Sequence, residues 1–182
     1  MVRESEGLGA QVWLHCMSNM FAFNLNFNQD ISSWDTQNVV NLNNMFDGAM
    51  AFNQDISNWN TSMITGMQGV FRNASSFDQN LGNWNVENVT TFNLIFSGIT
   101  LSSTNYDNIL IGWDAQNLNP NMNLDGGSSE YCSVAAETAR NNMIASDGWT
   151  ITDGGACASL SVNDVELNTI SLFPNPSNSQ FS

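Results

Sequence analysis

The chain has 182 residues, 42% of them hydrophobic and only 11% charged; its three Arg, no Lys and 17 acids give a net charge of −14. Phosphate backbones and anionic membrane surfaces are bound by clustered cations, and Arg3, Arg72 and Arg140 supply no cluster, so the composition excludes nucleic-acid binding and docking on anionic membranes. Six Trp and eleven Phe argue against disorder, and no apolar run approaches the roughly 18–20 residues of a membrane-spanning helix.

Met1 to Gln11 has no long apolar stretch, so no signal peptide is read there. The chain reads as a piece of a longer protein. Residues 1–16 form a degenerate N-terminal segment. Within it Val12 to Cys16 breaks the pattern that follows. His15 is the only His, beside Cys16. Any Ser-His-Asp or Cys-His arrangement would need it, and adjacent residues point in different directions, so a surface His is the better reading.

A 25-residue repeat follows. Phe27-Asn28-Gln29-Asp30-Ile31-Ser32-Ser33-Trp34 returns as Phe52-Asn53-Gln54-Asp55-Ile56-Ser57-Asn58-Trp59, and again as Phe77-Asp78-Gln79-Asn80-Leu81-Gly82-Asn83-Trp84. The rest keeps step: Val39, Ile64, Val89; Leu42, Met67, Phe92; Met45, Val70, Ile95; Phe46, Phe71, Phe96. Met17, Met20 and Phe21 stand in register with Leu42, Met45 and Phe46. One such unit cannot bury its own apolar positions, but stacked neighbours bury each other's. Equivalent residues should then form ladders at a strand spacing of roughly 4.8 Å. Gln29 to Ser32 alternates polar and apolar and reads as a short strand. Val39 to Phe46 suits a helical turn or a short irregular helix. The expected repeat core is Phe27, Ile31, Trp34, Phe46, Phe52, Ile56, Trp59, Phe71, Phe77, Leu81, Trp84 and Phe96. The third unit departs from the others, with Asn80 in place of Asp and Gly82 in place of Ser.

The Phe-Asn-Gln-Asp-Ile-Ser-x-Trp core, followed by Asn-Val-x-x-Leu-x-x-Met-Phe, resembles the BspA-type leucine-rich-repeat surface proteins of bacteria over roughly residues 17–100. The resemblance implies an α/β repeat solenoid, exported to the cell surface and associated with adhesion. The ligand itself does not transfer.

From Ser102 the period is lost. Ser103 to Tyr106 can start a helix with Tyr106, Ile109, Leu110 and Trp113 on one face. Asn121 to Leu124 is a candidate strand, Ser133 to Ala145 a second helix, and Gly148 to Gly155 a final strand and turn. Residues 101–158 sit where a solenoid needs an atypical end unit and are expected to be a small α/β cap. They resemble the segment that closes such arrays in Bacteroidetes proteins. Residues 159–182 contain Leu172-Phe173-Pro174-Asn175-Pro176-Ser177-Asn178. This resembles the opening of the C-terminal sorting domain of the type IX secretion system, here truncated. It implies export and a secreted or surface location.

In an exported protein Cys132 and Cys157 form a plausible disulfide, the alternative being two buried thiols. Cys16 is left over. No Cys-x-x-Cys spacing points to zinc, and no phosphate-binding or dinucleotide motif is present, so no cofactor is expected. Asp30 and Asp55 stack in register and read first as a ladder fixing a turn. Ca²⁺ binding with Asn28, Asn53 and Asp78 and glycoside hydrolysis are the sharper alternatives. The Trp34, Trp59 and Trp84 column reads as core; exposed, it would be a platform for sugar rings. The expectation is a non-catalytic, monomeric surface protein that recognises a protein or glycan ligand. Carbohydrate binding and a ligand-free structural spacer stand as alternatives.

Overall fold

The computed structural model describes residues 15–158 and 160. The Asp-Ile-Ser-x-Trp segment folds locally as a double turn. The Ser32 N–H donates to Asp30 Oδ1 at 2.9 Å and the Trp34 N–H to the Ile31 carbonyl at 3.1 Å. The same pair of bonds recurs at Asp55, Ser57, Ile56 and Trp59. Asn80 accepts from the Gly82 N–H at 2.9 Å, so Asn replaces Asp without loss because only an acceptor oxygen is needed.

Gln29 to Ser32, expected as a strand, is not one. Side chains join neighbouring units there instead. Asn28 Oδ1 accepts the Asn53 N–H at 2.9 Å and the Gln54 amide at 2.9 Å. Asn53 Oδ1 accepts the Asp78 N–H and the Gln79 amide in the same way. The rings of this side form a column of their own. Trp34, Trp59 and Trp84 stack with centroids 6.5 and 6.4 Å apart.

On the opposite side of each unit the backbones meet. Parallel bridges run from Cys16 to Asn41, Asn41 to Gly66 and Gly66 to Thr91. The segment expected as a short helix, Val39 to Phe46, is a ribbon of consecutive turns. Leu42, Asn44, Phe46 and Gly48 donate to Gly66, Gln68, Val70 and Arg72 of the next unit, while Met45, Asp47 and Ala49 donate three residues back. Alternating the two acceptors holds the ribbon out of both helix and strand. Each ribbon has two left-handed residues; they are Asn44 and Gly48 in one unit and Gly69 and Asn73 in the next, residue types that reach this conformation readily, while Phe23 and Leu94 hold it in the first and last ribbons.

The bridges thus form one side of the stack, termed its inner side, and the Trp column the other. Between them lie two Phe columns. Phe46 and Phe52 stack within a unit at 3.9 Å, Phe71 and Phe77 at 3.8 Å, and Phe46 lies 5.7 Å from Phe71. Ile31, Phe46, Phe52, Ile56, Trp59, Phe71, Phe77, Leu81, Trp84 and Phe96 are buried. Phe27 and Trp34 are only half-buried against the core, because among the described residues they have a repeat neighbour on one side only.

Two longer coils follow. The first holds α1 (Ser103–Asp114) and β1 (Asn123–Asp125); the second, entered through β2 (Glu130–Tyr131), holds α2 (Val134–Asp147), β3 (Thr150–Thr152) and β4 (Gly155–Ala156). α1 buries Tyr106, Ile109, Leu110 and Trp113. α2 starts on Ser133, whose side chain accepts the Ala136 N–H, and ends on left-handed Gly148. Both coils extend the ladder: Phe92 bridges Leu124, and Leu124 pairs with Ile151, all in parallel. Trp113 continues the indole hydrogen-bond pattern of the repeats. Its indole N–H donates to the Leu81 carbonyl at 3.0 Å, as Trp84 does to Ile56 and Trp59 to Ile31.

Gly82 explains the third unit's departure from pattern. A Cβ there would collide with the Asn108 carbonyl of α1, and a Cβ on Gly112 would collide with the Gly82 carbonyl. The helix packs backbone to backbone on this turn. Gly82→Ser restores the residue of the sister units, yet it is expected to cost about 1–3 kcal/mol by pushing α1 outward. A denaturant melt against the unsubstituted protein checks this.

Candidate functional site on the inner face

Asp30 and Asp55 line a shallow cleft of about 340 Å³ with Ser32, Gln54 and Asn58. Hydrogen bonds from Ser32 and Ser57 hold their carboxyls below the usual carboxylate range. Each carboxyl is thereby engaged in fixing its own turn. The oxygens expected to complete a Ca²⁺ site are engaged. Asn28 and Asn53 accept from the following unit, and Asp78 Oδ1 accepts from Ser102 and from the Asn105 amide. Among the described residues no three His, Cys, Asp or Glu converge where they could hold a metal ion.

Trp59 and Trp84 are buried, and each indole N–H is spent on a carbonyl of the preceding unit. Their faces are covered by neighbouring rings, so they offer no platform to a sugar. His15 and Cys16 are exposed. The Cys16 thiol donates to Ser18 Oγ at 3.1 Å.

Cys132 and Cys157 form a disulfide with Cα atoms 5.2 Å apart. It fastens the last coil beside the pair of β2 with β4. Their sequence separation is 25, and a loop of that size predicts a loss of ~3 kcal/mol when both are replaced by Ala. The comparison to make is a melt of the oxidised protein with and without reductant; a midpoint unchanged by reductant would count against it.

The inner face carries a regular polar row. Asn43 Oδ1 accepts the Gln68 N–H at 2.8 Å, and Gln68 and Asn93 are exposed beyond it. The row opens into a cleft of about 540 Å³ lined by Gln68, Asn93, Leu94, Asn123, Leu124, Asp125, Thr150 and Thr152. No cation lines it. Asp125 Oδ1 is held by the Gly127 N–H at 3.0 Å. Only the alternation of buried and exposed positions in the repeat could have signalled Gln68 and Asn93. Asn123, Thr150 and Thr152 lie in the aperiodic part, where nothing in the sequence assigns them to the same face.

Parallel bridges at a 25-residue step, extended by two helix-bearing coils, define a protein of stacked units with a polar inner face. The chain belongs to the family described as mycoplasma protein of unknown function, DUF285, whose model matches residues 13–122. No curated protein and no solved structure matches the chain significantly. No helix among the described residues is long and apolar enough to cross a membrane.

Proposed function

We propose that this chain is an exported bacterial surface protein, an α/β repeat solenoid of the leucine-rich-repeat kind, that works without catalysis by recognition or adhesion through its inner face. The observation carrying the reading is the polar row Asn43, Gln68 and Asn93, set at a constant step above fully buried rings. Repeat stacks use such surfaces for binding. The Cys132–Cys157 disulfide supports an oxidising destination. The BspA-type resemblance of residues 17–100 points the same way. The sorting-domain resemblance of Leu172 to Asn178 lies outside the described residues; it supports export by a type IX secretion system.

The test is adhesion of the purified chain, immobilised on beads, to bacterial and host cell surfaces. A variant carrying Asn43→Ala, Gln68→Ala and Asn93→Ala is measured beside it. Adhesion lost in the variant, with its melting temperature kept, supports the reading. Absence of adhesion by the unsubstituted chain leaves the spacer. Protease shaving of intact cells tests the surface location separately.

A further inference from the structure

The inner-face cleft arises from a mismatch between two kinds of backbone. Up to the third unit each turn ribbon sits on another turn ribbon, and the bridging residue advances by 25, from Cys16 to Asn41, Gly66 and Thr91. The next rung is the extended strand β1, and the bridge to it starts one residue later, at Phe92. Asn19, Asn44 and Gly69 each donate their N–H to the following unit, to Asn43, Gln68 and Asn93. Leu94 stands at the same register position, and among the described residues its N–H has no acceptor. Leu94 is also left-handed, with φ 61°, where its counterparts are Asn, Asn and Gly. A bulky residue there is strained, and its side chain is 38% exposed.

The lining therefore holds three carboxamides (Gln68, Asn93 and Asn123), two hydroxyls (Thr150 and Thr152), one carboxylate with an oxygen to spare (Asp125) and one exposed apolar side chain (Leu94). Amides and hydroxyls both donate and accept, as every sugar hydroxyl does. Leu94 offers contact to the C–H face of a ring. The cleft's volume falls in the range of roughly 300–1,000 Å³ usual for small-molecule sites. With no cation and a net charge of −14, it repels phosphates, sulfates and acidic sugars. An extended peptide would need a row of free backbone groups for strand addition. The earlier ribbons have spent theirs on one another, and beside the cleft the N–H groups of Phe92, Asn93 and Leu94, among the described residues, depart from that pattern; three adjacent donors are too short a row for a strand.

We propose that this cleft is a binding subsite for a neutral saccharide, with Asn93, Asn123, Thr150 and Thr152 holding its hydroxyls and Leu94 packing on its ring. The proposal rests on the recognition reading above and names the ligand class of the same face.

The test titrates the full chain by calorimetry with neutral disaccharides: cellobiose, maltose, mannobiose, galactobiose, xylobiose and chitobiose. Sialyllactose, a heparin disaccharide and a gelatin peptide are the contrasting probes. The expected result is saturable binding of at least one neutral disaccharide. Asn93→Ala and Thr150→Val, both exposed positions, should each weaken it about tenfold, the effect of one lost hydrogen bond to a ligand. Asn58→Ala, in the other cleft, should leave it unchanged. Binding of none of the neutral sugars, binding of only the anionic or peptide probes, or binding indifferent to Asn93 and Thr150 would each overturn the proposal. Failure here with inner-face-dependent cell adhesion intact removes the saccharide and keeps recognition; loss of both removes both.

Discussion

Arg140→Met is expected to lower stability by about 3–5 kcal/mol, the cost of breaking a buried ion pair from one side. The Asp153 side chain is 2% exposed. It receives Arg140 Nε at 2.8 Å, Arg140 Nη2 at 3.1 Å, the Tyr106 hydroxyl at 2.8 Å and the Gly155 N–H at 3.1 Å. The same guanidinium donates to the Ile151 carbonyl and lies 5.5 Å from the centre of the Tyr131 ring. One cation thus ties α2, β3 and the turn into β4 to α1. Burial works against the Arg140 charge, but the hydrogen bond and attraction of Asp153 more than offset it and raise its pKa. Met keeps most of the packing and removes the charge, so the carboxylate is left buried without its cation. Differential scanning calorimetry measures the loss. A drop no larger than that of an exposed pair, ~1 kcal/mol or less, would mean that solvent reaches Asp153.

The same cluster sets an alkaline limit. Burial, then the Asp153 charge, pushes the Tyr106 hydroxyl far above its ordinary value. A raised folded-state pKa gives stability that is complete below the unfolded value, about 10 for Tyr, and is lost as pH rises beyond it. Stability should therefore fall above about pH 10. Tyr106→Phe should flatten that limb while lowering stability at neutral pH, because Asp153 loses a donor. Denaturant melts at pH 8 and pH 11 separate the two effects.

Phe71→Ala is expected to cost a comparable ~3–5 kcal/mol. Phe71 is fully buried. Its ring lies 3.8 Å from Phe77, 5.7 Å from Phe46, 5.9 Å from Phe96 and 6.1 Å from Trp84. Removing it opens a cavity in the middle of the stack, and neither neighbouring unit can move in without breaking its own ladder of backbone bonds. Phe27→Ala removes the same atoms from a half-buried site and should cost clearly less. Equal losses at the two positions, measured by urea melts with equal m-values, would refute the picture of columns buried by neighbours on both sides.

The Asn content is explained by position. Asp35, Asn60 and Asn85 each accept the N–H two residues on. Asn28 and Asn53 join one unit to the next. Thr36 and Thr61 donate to the Asn60 and Asn85 carbonyls of the following unit. These short side chains join the units on the side where no backbone bridge does.

The period, the identity of the ring columns and the buried face of α1 were legible in the residues alone. A ring that must meet its copy in the next unit imposes a constant step, and Tyr106, Ile109, Leu110 and Trp113 mark their own helix. Tertiary structure decided the rest. A turn that accepts i→i+3 bonds and inter-unit bonds alternately looks, in apolar spacing, like a short helix. Whether alternating residues become a strand depends on whether the neighbouring unit offers backbone partners, and at Gln29 to Ser32 it offers side chains instead. The coils after Ser102 continue the ladder although their period is lost, because a helix takes more residues than a turn ribbon to cross the same side of the stack. Phe92, Leu124 and Ile151 meet on the inner side at unequal steps along the chain, which leaves no repeat to read. The inner cleft has the same origin: a turn ribbon and a strand cannot match residue for residue, and the gap between them appears only when the two are brought together.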